Sequence, residues 1–231
     1  MSGKAQLVSI LAVIPTLKDD PSEAVRSLLR QTLRPTRIIV VSGSKSLEKA
    51  ISRKSCCLKV VYVKPELKEH VGVRVGKAIN AALAGENLAK YHYLLKLDAD
   101  VKLHPESLER HVRLGADLVG LGPFMLIKME KFLSILGGRW PETPCDDGYI
   151  LYSFTSRGAV FHPFSPDSVA VKRRGGALGS WRYYYLRGAD DFRIGINPVT
   201  ELRITLNLAR KRKSLLPVFT YLTQSLNSGL L

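Results

Sequence analysis

Cysteine is scarce in this chain of 231 residues: Cys56, Cys57 and Cys145 are the only three. An odd, sparse set with two neighbours adjacent gives neither a disulfide framework nor a zinc-ligand spacing, and it fits reduced thiols in the cytosol. Long hydrophobic runs are missing as well. The apolar run over 7–15 is far short of the roughly 18 residues that a membrane span needs, and no small-residue cleavage site follows it. Neither a signal peptide nor a transmembrane helix is expected. Glutamine is confined to Gln6, Gln31 and Gln224 while Lys and Arg are plentiful, a balance common in thermophile proteins. Acidic residues are outnumbered, 20 against 35 basic ones, for a net charge of +15. That surplus points to an anionic partner: nucleic acid, a nucleotide, a lipid phosphate or an anionic membrane. With 45% hydrophobic and 24% charged residues the balance is globular, which excludes a disordered, fibrous or small disulfide-bonded chain. The length is that of one generous domain, or of a domain with an appendage.

What is present is a repeating pattern. Residues 7–14 (LVSILAVI) form a nearly continuous apolar run of the kind buried on both faces of a parallel sheet, and Pro15 is expected to stop it. Asp20-Pro21-Ser22-Glu23 reads as a helix start, Asp20 capping, Pro21 in the first turn and Glu23 completing a capping box. Val25, Leu28, Leu29 and Leu33 follow on one helical face. Further strands are expected over 38–41, 58–63 and 93–97, and a fifth over 117–122. Helices are expected over 46–54, 72–83, 105–114 and 148–158. Alternating strands and helices at this spacing give an α/β fold with a mainly parallel sheet.

In open α/β sheets ligands bind beyond the carboxyl ends of the strands. Pro15, Thr16, Lys18 and Asp19 follow the first strand, Ser42, Gly43 and Ser44 the second, and Asp98 and Asp100 the fourth. Residues i and i+2 of an extended segment point the same way, so Asp98 and Asp100 suit a hard cation such as Mg²⁺ or Mn²⁺. An Asp-x-Asp alone reads as a solvated turn; directly after the buried-strand pattern YHYLLKL it reads as a metal site. Asp146 and Asp147 follow a Gly/Pro-rich loop and precede a helix. They favour its dipole, and they can also serve as a general base. Lys77 could meet a phosphate or lie on a solvated face. His162 is a candidate third metal ligand or a structural histidine.

Taken in order, these pieces resemble the family 2 glycosyltransferases. LAVIPTLKDD…LLRQTLRPTRIIVVSGS is similar to that family's opening, GKAINAAL to its helix with Ala and Asn, and LLKLDADVKLHPESLE to its metal motif. GGRWPETPCDDGYILYSFTSRG is similar to its Gly-Gly loop, acidic pair and following helix. The match runs over about 7–164. The resemblance implies a GT-A fold, a nucleoside-diphosphate sugar donor, Mn²⁺ or Mg²⁺, and inversion at the sugar carbon. By position, Asp100 would bind the metal and Asp98 the ribose or the metal's water shell. Asp147 would deprotonate the acceptor hydroxyl, with Asp146 in place of the usual Glu. Pro15, Thr16 and Asp19 would line the nucleoside pocket. Two positions depart from the pattern: Ser42 stands where an Asp is usual, and Ser153 where an Arg is common.

The implied organisation is a catalytic domain over 1–165 and a basic C-terminal helical segment over 166–231. From 172 to 213 the net charge is +8, more than half of the surplus. Basic and aromatic residues mix there (Lys172-Arg173-Arg174, Trp181 to Tyr185). Three readings stay open: contact with a glycan or lipid-phosphate-linked acceptor, a peripheral contact at the inner face of an anionic membrane, or a packing or homo-oligomer surface. Rival functions are a nucleotidyltransferase on a similar fold and a non-catalytic nucleic-acid-binding protein. The acidic pairs at strand ends speak against the latter, because they repel phosphates unless a cation intervenes.

Overall fold

A computed structural model of the chain describes residues 8–17, 19–45 and 57–171, with positions 203, 206 and 210. The expected helix at 46–54 and nearly all of the basic C-terminal segment lie outside these. The first strand forms because residues 10–14 (ILAVI) are fully buried on both faces. This strand, β1 (Ile10–Thr16), does not stop at Pro15 as expected. Its pairing with the neighbour on one side ends at Val13, so beyond that point it runs beside a single partner. A missing N–H is tolerated in such a place.

Around β1 the sheet is built from β2 (Arg37–Ser42), β3 (Leu58–Tyr62), β4 (Tyr93–Leu97), β6 (Leu118–Val119), β7 (Phe124–Lys128) and β8 (Phe161–His162). The spatial order is β3-β2-β1-β4-β7-β6-β8. Strands β3, β2, β1 and β4 run parallel, β7 is antiparallel to both its neighbours, and β8 is parallel to β6. Two short strands, β5 (Val101–Leu103) and β9 (Val169–Val171), pair apart from the main sheet. The sheet is thus mainly parallel, as its sequence pattern predicts.

Two apolar layers cover its faces. On one side Ile10, Ala12, Ile14, Leu95 and Leu97 pack with α1 (Ser22–Leu29) and α3 (Ser107–Arg113) through Val25, Leu28 and Leu108. On the other, Leu11, Val13, Leu94 and Met125 pack with α2 (Val71–Leu83), α4 (Met129–Leu136) and α5 (Asp146–Thr155) through Ile79, Phe132 and Phe154. This is the three-layer arrangement of α/β domains. Gln31 joins two elements of the first layer. Its Nε2 donates to the carbonyls of Ser27 (3.1 Å) and His104 (2.8 Å), and its Oε1 accepts from Leu108 N (3.0 Å).

Some boundaries differ from expectation. α1 begins at Ser22 with Pro21 at the cap position, and Asp20 Oδ1 accepts from Ser22 N at 2.9 Å. Pro105 and Glu106 form a turn, so α3 starts at Ser107. The strand expected over 117–122 is only two residues long, while β5, β7, β9 and α4 were not expected at all. Among the described residues, no helix is long and apolar enough to cross a membrane.

Candidate active site

The carboxyl ends of β1, β2 and β4 open onto one cleft of about 440 Å³. Pro15, Thr16, Asp19, Ser42, Lys77, Asp98 and Asp100 all line it, so the strand ends and α2 bring together the residues picked for a donor pocket and a metal. Their side chains are differently disposed. Thr16 Oγ1 donates to the Asp19 carbonyl at 2.8 Å and closes the turn after β1. The Ser42 hydroxyl is spent within its own turn, donating to the Ser44 carbonyl (3.0 Å) and accepting from Ser44 N (2.9 Å). Lys77 Nζ donates to Glu69 Oε1 at 2.5 Å, an interaction that raises the lysine's pKa. Arg74 also lines the cleft, and its buried Nε has no hydrogen-bond partner among the described residues. Sequence reading passed over it, although it lies one helical turn before Lys77 on the same face of α2.

The second acidic pair is helical, not part of a preceding loop: α5 begins at Asp146 itself, two residues earlier than expected. Trp140 Nε1 donates to Asp146 Oδ2 at 2.8 Å, and Asp147 Oδ1 accepts from Gly148 N at 2.9 Å. Burial pushes the Asp146 carboxyl up to about 6, against the pull of Lys96 and the Trp140 hydrogen bond. The loop leading into this pair is fastened to α2. Asn80 Nδ2 donates to the Trp140 carbonyl (2.9 Å) and to Glu142 Oε1 (2.8 Å), while its Oδ1 accepts from Trp140 N (2.7 Å). Gly72 and Gly76 let the loop lie directly on the helix. A Cβ on either would sit 2.4 Å from a carbonyl oxygen, that of Thr143 or Pro141.

Lys96 is the residue that sequence reading missed most completely. It is 6% exposed, inside the central strand β4. Its Nζ lies 2.6 Å from Asp98 Oδ1 and donates to the Gly122 carbonyl at 2.5 Å. Burial opposes its charge, but Asp98 first and then Asp146 and Asp147 overcome this and hold its pKa above the ordinary lysine value. Asp98, Asp146 and Asp147 thus all act on one ammonium group, although Asp146 and Asp147 are not among the residues that line the cleft. A lysine among strand residues looks like ordinary alternation in sequence; only the topology shows that it is enclosed.

His162 does not join this set. It stands exposed at the end of β8 with Nδ1 2.6 Å from the Pro163 carbonyl, and it does not line the cleft. Among the described residues no group of three or more His, Cys, Asp or Glu is arranged to hold a metal. Of the carboxylates that line the cleft (Asp19, Glu66, Asp98 and Asp100), Asp98 and Asp100 stand together just past the end of β4. Lys96 occupies Oδ1 of Asp98, the side chain of Asp98 is 37% exposed, and Oδ2 has no hydrogen bond among the described residues. Two carboxylates of this kind fit Mg²⁺ or Mn²⁺ when phosphate and water complete the shell.

No protein-family model matches the sequence, and no curated protein matches it. Solved structures do. The crystal structure of TarS from S. aureus aligns with a TM-score of 0.60 at 14% identity, covering 88% of this chain and 43% of TarS. The present chain thus spans less than half of TarS. Two crystal structures of glucosyl-3-phosphoglycerate synthase from Mycobacterium tuberculosis align comparably. One, in complex with Mn²⁺, uridine diphosphate and glucosyl-3-phosphoglycerate, has a TM-score of 0.58 at 15% identity and covers 82% of this chain and 81% of that one. The other, with Mn²⁺, uridine diphosphate and phosphoglyceric acid, has a TM-score of 0.57 at 14% identity and covers 82% and 80%. A central, mostly parallel sheet flanked by helices and shared with these proteins gives this chain the GT-A fold.

Proposed function

We propose that this chain is a metal-dependent, inverting glycosyltransferase of the family 2 type, moving a sugar from a nucleoside diphosphate to a hydroxyl acceptor. The observation that carries the reading is a cleft large enough for a nucleotide at the carboxyl ends of β1, β2 and β4, lined by Asp98 and Asp100, with the helix-start acid Asp147 behind it, its Oδ2 3.8 Å from where a Cβ on Gly122 would stand. The Mn²⁺ and uridine diphosphate named for the synthase of the same fold support it.

In this reading Pro15, Thr16, Asp19 and Ser42 border the nucleoside, and Arg74 and Lys77 reach the diphosphate. Asp100 and Asp98 would hold the metal, which when bound neutralises charge developing on the leaving diphosphate. The acceptor hydroxyl attacks the sugar carbon from the face opposite the leaving group, which inverts its configuration. Its proton passes to Asp147. Because Gly148 N engages Oδ1 of that carboxylate, Oδ2 is left to take the proton. Asp146, tied to Trp140, holds the start of α5 in place beside it. The acceptor is a glycan or a lipid-phosphate-linked group, and the basic segment after 171 serves it or a peripheral contact at the inner membrane face. Its charge supports this assignment.

A thermal-shift series tests the reading. Uridine diphosphate with Mn²⁺ is expected to raise the melting temperature of the protein, since a ligand bound only by the native state stabilises it. Asp100→Ala should lose the Mn²⁺-dependent part of that shift. Asp147→Asn should keep the shift and lose transfer by roughly 10²–10⁴-fold. Full sugar transfer by Asp147→Asn with donor binding intact would remove Asp147 as the base, and nucleotidyl instead of sugar transfer by the wild type would favour a nucleotidyltransferase.

A further inference from the structure

The sheet interior is apolar on both sides of Lys96: Leu95 and Leu97 are fully buried, and the paired residues Val13 and Met125 are too. A lysine in such a strand cannot reach bulk water, and an unpaired buried ammonium is strongly disfavoured. Here it is paired. Nζ spans Asp98 Oδ1, just past the end of its own strand, and the carbonyl of Gly122 in the loop before β7. A methyl group added at Gly122 would lie 3.8 Å from Asp147 Oδ2, which places the base side of the site against the same loop.

We propose that Lys96 is a positioning residue acting as the resident cation of the acidic cluster: it fixes Asp98 in one orientation and offsets Asp146 and Asp147 before metal or donor arrives. For the use made of the cluster, this rests on the glycosyltransferase reading; the ion pair itself does not. Carboxylates gathered without compensation repel one another, protonate or move apart. The lysine's charge has a second effect. A divalent ion approaching Asp98 meets a fixed positive charge bonded to that carboxylate, so the metal alone is held weakly. Together with a diphosphate, whose negative charge outweighs the lysine, it is held well. Lys96 thus couples metal binding to donor binding.

The test compares wild type with Lys96→Met in the full chain, reading melting temperature with and without Mn²⁺ and Mn²⁺ affinity by electron paramagnetic resonance. Without metal, the variant should melt roughly 2–4 °C lower, because the acidic cluster loses its neighbouring cation while the partly exposed Asp98 is re-solvated in part. Mn²⁺ alone should restore most of that loss while barely moving the wild type. It should bind the variant at least about threefold more tightly, as removal of a nearby unit charge requires. An unchanged melting temperature overturns the proposal. So does a drop that Mn²⁺ neither reverses nor accompanies with tighter binding, since that marks a lysine serving the core alone. Should Lys96→Met fail to fold, the double variant Lys96→Met/Asp98→Asn removes both charges and should fold; its failure also overturns the proposal. Wild-type protein that binds Mn²⁺ but no nucleoside diphosphate would dispose of the glycosyltransferase reading and leave the Lys96 result standing.

Discussion

Asp146 carries an electrostatic cost that the rest of α5 has to bear. Its folded pKa of about 6 lies above the ordinary 3.8, so the folded chain holds a proton there that the unfolded chain releases. The stability tied to this group is fully present below about pH 4 and is lost as pH rises through about 6. At pH 7.5 the ionised form is a burden. Asp146→Asn, which keeps an acceptor for Trp140 Nε1, should therefore raise the melting temperature by roughly 2–6 °C at pH 7.5, equivalent to about 1–2 kcal/mol. The gain should fall to about half at pH 5 and vanish only below about pH 4, and an equal gain at pH 7.5 and pH 4 would mean that burial of the charge is not its source. Transfer should fall in the same variant, the usual exchange of stability against function at a strained site. Residues such as Asp98 and Asp100 were legible because two acids directly after a buried apolar run lie where a sheet of this class opens to its ligand. Lys96 and Arg74 were not, because a single cation in a strand or helix is ordinary until its neighbours from other elements are known.

At the scale of elements, the contact between α2 and the loop that leads into α5 sets how the two sides of the site face each other. Gly76 makes it possible: a Cβ there would stand 2.4 Å from the Pro141 carbonyl and 3.0 Å from Glu142 Cα, neither of which can give way cheaply. Gly76→Ala should cost about 2–4 kcal/mol in chemical denaturation. Gly85→Ala, whose Cβ would meet only the end of the Lys59 side chain at 3.1 Å, should be close to neutral. Equal effects would mean that the close approach of loop to helix is not what requires a glycine on α2. The strands β2, β3 and β4 could be read from their apolar runs to within a residue or so. The run FMLIKMEKFLSIL could not be divided, because its apolar residues continue from β7 into α4 without a glycine or proline between them. Only at Lys128, with φ −60° and ψ 127°, does the backbone change from one element to the other. A buried His111 shows a similar limit. Its Nδ1 lies 2.7 Å from the Ser107 carbonyl and its Nε2 accepts from Ser165 N at 3.2 Å, so it fastens α3 to the approach of β9. Burial holds its pKa below the usual histidine value.

For the whole molecule, charge is divided between two regions. The described cleft is lined by four carboxylates and three cations, and more than half of the +15 surplus falls in 172–213, almost all of it outside the described residues. A cleft so nearly balanced in charge offers a nucleic-acid backbone little attraction. Retention on DNA or RNA is accordingly expected at low salt and should be gone at physiological salt, leaving an affinity weaker than micromolar in a salt-titrated binding assay. Micromolar or tighter binding at physiological salt would restore the nucleic-acid reading. The order of strands could not be derived from their sequence order, because the insertion of antiparallel β7 between β4 and β6 depends on pairing across the sheet.

Lys96 also bears on how the chain finds this topology. On β4 it shares a face with Leu94, opposite Val13 of β1 and Met125 of β7. A slip of one residue in either pairing would turn every side chain of β4 to the other face and drive an ammonium group into the layer of Ile14, Leu95 and Phe124. Mispaired sheets are thus penalised far more heavily than an all-aliphatic strand would penalise them. The lysine thus favours the observed register at the junction where parallel and antiparallel halves of the sheet are joined.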